Sequence, residues 1–182
     1  STGYISINAK APDISGAMSA YGLNLLSNNQ SYTLDSSSNS INTLAASIGT
    51  GSLTFVNSGV LNIGSYNGVT GITATGLTLT AAGLTDTNDA GITVSSSSTI
   101  AITNSSGSQD YSGVISGPIA LTKSGAGTQT LSAANSYTGL TTISAGTLRL
   151  GVAGSSTNTP LGTTAAGTSI TAGATLDLNG FT

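Results

Sequence analysis

The sequence predicts an all-β protein wound as a solenoid. Three observations carry that expectation. Short apolar–polar–apolar triplets recur along the whole chain, glycine follows many of them, and similar triplets return at spacings of about 24 to 28 residues.

The triplets come first in the argument. They include Ile5-Ser6-Ile7, Leu53-Thr54-Phe55, Leu61-Asn62-Ile63, Leu77-Thr78-Leu79, Ile92-Thr93-Val94, Ile100-Ala101-Ile102, Leu148-Arg149-Leu150 and Leu176-Asp177-Leu178. In an extended chain successive side chains point to opposite faces, so each triplet turns two apolar residues one way and one polar or small residue the other. Glycines at positions such as Gly59, Gly64, Gly83, Gly146, Gly151, Gly173 and Gly180 then supply tight corners. Helix formers are scarce, and Glu is missing altogether. The best helical candidate is residues 14–26, ISGAMSAYGLNLL, and Gly16 and Gly22 interrupt it.

Spacing turns the strands into coils. Leu53, Leu77 and Ile100 recur about 24 residues apart, and Ile143-Ser144-Ala145-Gly146 returns as Ile170-Thr171-Ala172-Gly173 about 27 residues later. Each coil is expected to carry three short strands. About seven coils stacked at the ordinary strand separation of about 4.8 Å make a rod roughly 35 Å long. An antiparallel sandwich is the rival, but sandwich strands run about five or six residues or more, and many runs here are shorter. The expected core is Leu53, Phe55, Leu61, Ile63, Leu77, Leu79, Ile100, Ile102, Ile143, Leu148, Leu150, Ile170, Leu176 and Leu178.

Composition narrows the setting. The 182 residues are 5% charged, whereas an average soluble domain is about a quarter charged. Ser, Thr, Asn and Gly take the place of the missing charge, which leaves a neutral surface with little to oppose self-association. A disordered linker is disfavoured, because Ile, Leu and Val alternate with Ser and Thr throughout. Lys10, Lys123 and Arg149 are the sole cations, so no basic patch exists to neutralise nucleic-acid phosphates. Cysteine is absent, which excludes disulfides and thiolate metal sites. No run of about 18 apolar residues marks a membrane helix. No basic-then-apolar opening marks a signal peptide, so the chain is expected to be processed or to be a piece of something longer.

Residues 121–150, LTKSGAGTQTLSAANSYTGLTTISAGTLRL, carry a more specific pattern. Lys123-Ser124-Gly125-Ala126-Gly127, Asn135-Ser136-Tyr137-Thr138-Gly139 and Ala145-Gly146-Thr147-Leu148-Arg149-Leu150 stand in order. This stretch resembles the autotransporter passenger-associated β-helix repeat. Residues 170–180, Ile170 to Gly180, resemble the segment that follows such a repeat. Residues 39–83 resemble coils of filamentous-haemagglutinin-like secreted proteins, through Asn39-Ser40-Ile41-Asn42-Thr43-Leu44-Ala45-Ala46 and Leu61-Asn62-Ile63-Gly64. The resemblance implies a right-handed parallel β-helix, exported across a bacterial outer membrane, with a stalk or adhesin role. Two positions depart from it. Gln129 stands where an apolar residue is usual, so it either hydrogen-bonds inside the solenoid or distorts its coil. Ala133 stands where glycine is usual. The chain is read as one domain over residues 1–182. Residues 1–38 are an atypical opening part, a candidate cap or polymerisation segment. Residues 39–120 are haemagglutinin-like coils, and residues 121–182 the passenger-associated repeat with its following coil.

The inventory for chemistry is short. Without His, Cys or Glu, nucleophile–histidine catalysis and zinc or haem ligation are excluded. The acids are Asp13, Asp35, Asp86, Asp89, Asp110 and Asp177. Asp86, Asn88 and Asp89 form a calcium candidate, since carboxylates and amide carbonyls are hard oxygen ligands. The plainer reading is a solvated turn. Gly125-Ala126-Gly127 is read as a corner, because no helix and no Lys-Ser/Thr pair follows it. Thr73-Ala74-Thr75, Thr85-Asp86-Thr87 and Thr128-Gln129-Thr130 lack the common register that an ice-binding face needs. Tyr66 and Tyr137 sit beside Asn and Gly and are expected to pack at corners. The sequence thus predicts a chain that is not an enzyme and takes no cofactor. It is read as a structural or adhesive segment of an extracellular bacterial surface protein. A self-associating, head-to-tail filament subunit is one alternative. A β-helix that binds or processes carbohydrate, or meets a host surface, is the other.

Overall fold

The computed structural model describes residues 3–8, 14, 16–165 and 167–181. Lys10, Asp13 and part of the expected helix at residues 14–26 lie outside them. Among the described residues there is no helix, and the wall strands pair in parallel into a β-solenoid. The remainder of the helical candidate, from Ser19 on, is strand. Tertiary context decides this: Leu23 and Leu25 enter the core, while Gly22 holds a place in a parallel ladder.

The first coils are built on long strands. β1 (Tyr4–Asn8) lies under β2 (Ser19–Leu26), and the chain turns through β3 (Tyr32–Leu34). β4 (Ser40–Ser47) stacks on β2, and β5 (Ser52–Val56) stacks on β3. Above β4 the wall divides. β6 (Val60–Ile63) sits on its first half. The chain then leaves the wall as a hairpin of β7 (Ser65–Tyr66) and β8 (Val69–Thr70), and β9 (Ile72–Ala74) rejoins on the second half of β4. Asn67 and Gly68 at the hairpin tip have φ of 51° and 81°, the left-handed pair that a two-residue type I′ turn needs.

From this point each coil has three sides. After β10 (Gly76–Ala81) come β11 (Gly83–Asp86), β12 (Ile92–Val94) and β13 (Ser98–Ile102). The next coil is β14 (Ser108–Tyr111), β15 (Ile115–Gly117) and β16 (Ile119–Lys123), followed by β17 (Thr128–Leu131), β18 (Ser136–Tyr137) and β19 (Thr141–Ile143). β20 (Thr147–Leu150) leads into a second hairpin, β21 (Asn158–Thr159) and β22 (Gly162–Thr163), before β23 (Thr168–Ile170) and β24 (Thr175–Asp177). One face is a stack of 7 strands, β3 to β23, which corresponds to about seven turns.

The ladder confirms most of the spacing read from sequence and corrects one step of it. Leu53 stacks on Leu77, Ile143 on Ile170 and Leu148 on Leu176. Ile100, however, stacks on Leu79, while Leu77 faces Ser98. The cause is local. The Ser98 hydroxyl accepts the Leu77 N–H at 2.9 Å and donates to the Ser96 carbonyl at 2.7 Å, so a serine replaces an apolar rung.

Leu53, Phe55, Leu61, Ile63, Leu77, Leu79, Ile100, Ile102, Ile143, Leu148 and Leu150 are buried in a single cluster or at its margin. Ile170 and Leu178 depart from the expected core and are 48% and 49% exposed, and Leu176 is half-buried. They lie on or beside β23 and β24, the outermost strands of their stacks, so no further rung covers them. Burial of such a side chain contributes about 1.5 to 3 kcal/mol. Leu148→Ala is therefore expected to cost about 2 to 5 kcal/mol in urea unfolding, against less than about 1 kcal/mol for Leu178→Ala. Equal losses in the two variants would contradict the placement of these strands.

Candidate functional site

Parallel ladders run only along the flat walls. At corners and gaps backbone groups lose that partner, and a buried unpaired amide costs about 1 to 3 kcal/mol. Polar side chains turned into the solenoid supply the missing bonds. Asn39 Oδ1 accepts the Met18 N–H at 2.8 Å, while its Nδ2 donates to the Leu34 and Val56 carbonyls. Asn57 holds both backbone groups of Ile41, and Asn135 joins the Ile115 N–H to the Pro160 carbonyl. All three asparagines are buried.

Gln129 works over a longer span. No ladder joins β11 to β14 among the described residues, so the third face is interrupted there. Gln129 projects inward from β17 and reaches Leu84 on β11. Its Oε1 accepts the Leu84 N–H at 3.0 Å, and its Nε2 donates to the Leu84 carbonyl at 2.9 Å. Of the two alternatives raised by its place in the repeat, the first holds: the glutamine is hydrogen-bonded inside, while its own strand keeps regular register with β14 and β20.

Lys123 is fully buried as well. Its ammonium donates to the carbonyls of Ser124 at 2.8 Å, Gly125 at 2.8 Å and Ala145 at 3.2 Å, which uses all of its N–H groups. Burial lowers its pKa. Gly125 and Gly146, at φ of 74° and 65°, bring the corner backbones close enough for one amine to bridge them. A Cβ at Gly125 would stand only 2.2 Å from the Asn104 carbonyl oxygen.

The tyrosines divide into interior and exterior sets. Tyr111 donates to the Ala90 carbonyl at 2.8 Å, and burial, with the Asp86 charge second, holds its phenol well above the usual range. Tyr137 packs at a corner and shares a 2.6 Å hydrogen bond with Thr141; burial pushes it up to about 12. Tyr66 is instead on the outward hairpin. Its ring stacks flat on Tyr4 with centroids 4.2 Å apart, and Tyr4 meets Tyr21 edge-on at 5.3 Å.

Asp86 and Asp89 converge on one partner. The Ser112 N–H donates to Asp86 at 2.6 Å, and the Ser112 hydroxyl lies 2.9 and 3.0 Å from the Asp86 oxygens and 3.0 Å from Asp89. Asn88 and Asp89 both have left-handed φ, which folds the turn back on itself. No group of three or more acids gathers among the described residues. Asp110 bonds the Ser132 hydroxyl, Asp35 is exposed, and Asp177 pairs with Arg149 at 2.7 Å across β20 and β24. That pairing and the Asn179 N–H hold the Asp177 carboxyl below its ordinary range.

Beside this turn an open groove of about 680 Å³ runs up the outer wall. Tyr4, Gly22, Thr43, Asn62 and Thr85 form one column of outward residues through β1, β2, β4, β6 and β11. The Tyr4 ring leans over Gly22, where a Cβ would lie 2.2 Å from it. The sequence scattered these tyrosines over 62 positions, from Tyr4 to Tyr66, and only the coil register brings them together.

Residues 121–150 match the family model described as Passenger-associated-transport-repeat. No curated protein and no solved structure matches the chain. The matched stretch is about one and a half coils: Leu121 stacks on Thr141, and Thr128–Leu131 stack on Thr147–Leu150. It contains Lys123, Gln129, Asn135 and the Tyr137–Thr141 pair, so the repeat is a set of strands together with the interior side chains that close its corners.

Gln129→Leu keeps the shape but orphans both Leu84 groups, and is expected to lower stability in urea by about 2 kcal/mol or more. Tyr137 sets an alkaline limit. Unfolded, it ionises near 10.0; folded, near about 12. Its contribution is complete below pH 10 and is lost as pH rises through about 12. Lys123 acts with the opposite sign, since stability rises with pH as its buried charge is discharged. Tyr137→Phe is expected to flatten the loss of urea midpoint between about pH 9 and pH 11.5. An unchanged slope would contradict this assignment.

Proposed function

We propose that this chain is a non-catalytic scaffold segment of an exported bacterial surface protein, a stalk that spaces or carries other parts of the molecule outside the cell. The observation that carries this reading is the matched passenger-associated repeat together with its geometry. The repeat is spent on rungs and corner posts, and Lys123, Gln129 and Asn135 are committed inward to backbone partners. The family description implies a secreted or surface location for chains that carry the repeat.

The physics of the fold suits that role. A solenoid contacts itself mainly between neighbouring coils, so order can propagate from one coil to the next. A chain without cysteine can emerge unfolded and meet no oxidative trap on the way. Its neutral, hydroxyl-rich exterior and aliphatic interior make a rod whose strength lies in parallel ladders.

Surface display tests the reading. Placed between a cleavable signal peptide and an outer-membrane translocator barrel in a Gram-negative host, the chain is expected to reach the surface and resist added protease. Gln129→Leu and Leu148→Asp are expected to reduce the protease-resistant surface fraction, the second more strongly because it buries an unpaired charge. Retention of the unaltered chain in the periplasm would overturn the proposal.

A further inference from the structure

The groove on the outer wall is a large surface feature that the scaffold does not use. We propose that it binds a neutral polysaccharide. Three features of its construction argue for this ligand.

The first is an aromatic platform. Tyr4 and Tyr21 are 44% and 45% exposed and line the groove, and Tyr66 stacks flat on one face of the Tyr4 ring. Tyrosines that are fixed by one another lose little freedom on binding, and their ring faces pack against the C–H faces of pyranose rings. The hairpin that delivers Tyr66 is held at its neck, where the Gly71 N–H bonds the Gly64 carbonyl at 2.9 Å.

The second is a ladder of neutral polar groups. Thr43, Asn62 and Thr85 stand one above another at the coil repeat of about 4.8 Å. Asn62 donates to Thr43 at 3.3 Å and accepts from Thr87 at 3.0 Å, which fixes the orientation of its amide. Asn42 and Asn88 also line the groove, and among the described residues their amides make no hydrogen bond within the protein. Amides and hydroxyls at regular spacing match a ligand that presents repeated hydroxyl groups.

The third is charge. None of the side chains lining the groove is charged. Asp86 and Asp89, in the same turn as Asn88, are held by Ser112 and repel uronates and sulfated sugars. Among the described residues no cation lines the groove to offset them.

Affinity electrophoresis of the purified chain in native gels tests the proposal, with soluble starch, hydroxyethyl cellulose, laminarin, galactomannan and dextran as neutral probes and polygalacturonate as the anionic one. At least one neutral polymer is expected to retard the protein. Tyr21→Ala is expected to weaken that retardation by about tenfold, Tyr21→Phe to keep most of it, and Leu140→Ala, exposed on another face, to leave it unchanged. Circular dichroism melts verify that each variant is folded. Thr87→Val, which removes the hydroxyl that orients Asn62, is a second test with less risk to the wall. Retardation by none of the neutral polymers, by polygalacturonate alone, or to the same extent in folded Tyr21→Ala and Thr87→Val would overturn the proposal. Because this is a solution measurement, its failure leaves the display reading standing, and failure of display leaves the groove standing.

Discussion

Every coil of this solenoid has to pass its backbone N–H and C=O groups to the coil above and the coil below. That constraint governs the rest of the structure. Along the walls it is met by parallel ladders, which require equal register and short apolar triplets. At the corners the ladder stops, and a buried amide without a partner costs about as much as a good hydrophobic contact contributes. The interior therefore has to be partly polar. Asn39, Asn57, Asn135, Gln129 and Lys123 are buried in it for that reason, each bonded to backbone.

This explains why a chain so poor in charge still places a lysine in its core. Three carbonyls at the Gly125–Gly146 corner replace the water that the ammonium gives up. Burial lowers the pKa, so the charge is tolerated more than welcomed. Removal of the amine would strand the carbonyls, which is the larger penalty. Gln129 follows the same logic where a wall is broken, acting as a substitute rung between β11 and β17.

The triplets, their polar middles and the returns at Ile143–Ile170 and Leu148–Leu176 were legible because they depend on local periodicity alone. The corner posts were not. An asparagine beside serine, as at Asn39, Asn57 and Asn135, reads as a turn whether it points to water or to the core, and only the backbone groups it meets tell the two apart. Residues 14–26 were the best helical candidate in the sequence, yet from Ser19 on the neighbouring strands decide the conformation. Asn67-Gly68 was a local hairpin signal that could have been read. The tyrosine platform was not legible at all, since Tyr4, Tyr21 and Tyr66 meet through a register that spans four coils.

The unequal repeat lengths have a cause that also bears on function. Where the chain is longer than one turn requires, the surplus leaves the wall as a hairpin and the ladder closes beneath it. Gly64 bonds Leu44 and Gly71 bonds Ala46, so β6 and β9 continue the wall as though the eight residues between them were absent. The Asn158–Thr163 excursion is a second hairpin, tied down by the Asn135 amide beyond β18, where the first wall ends. The first excursion leaves the ladder on both halves of β4 intact. It adds Tyr66 to the Tyr4 and Tyr21 rings that the wall strands already present. The scaffold and the groove are therefore consequences of the same constraint: the more completely the walls satisfy their own backbone, the more freely the chain can vary outside them.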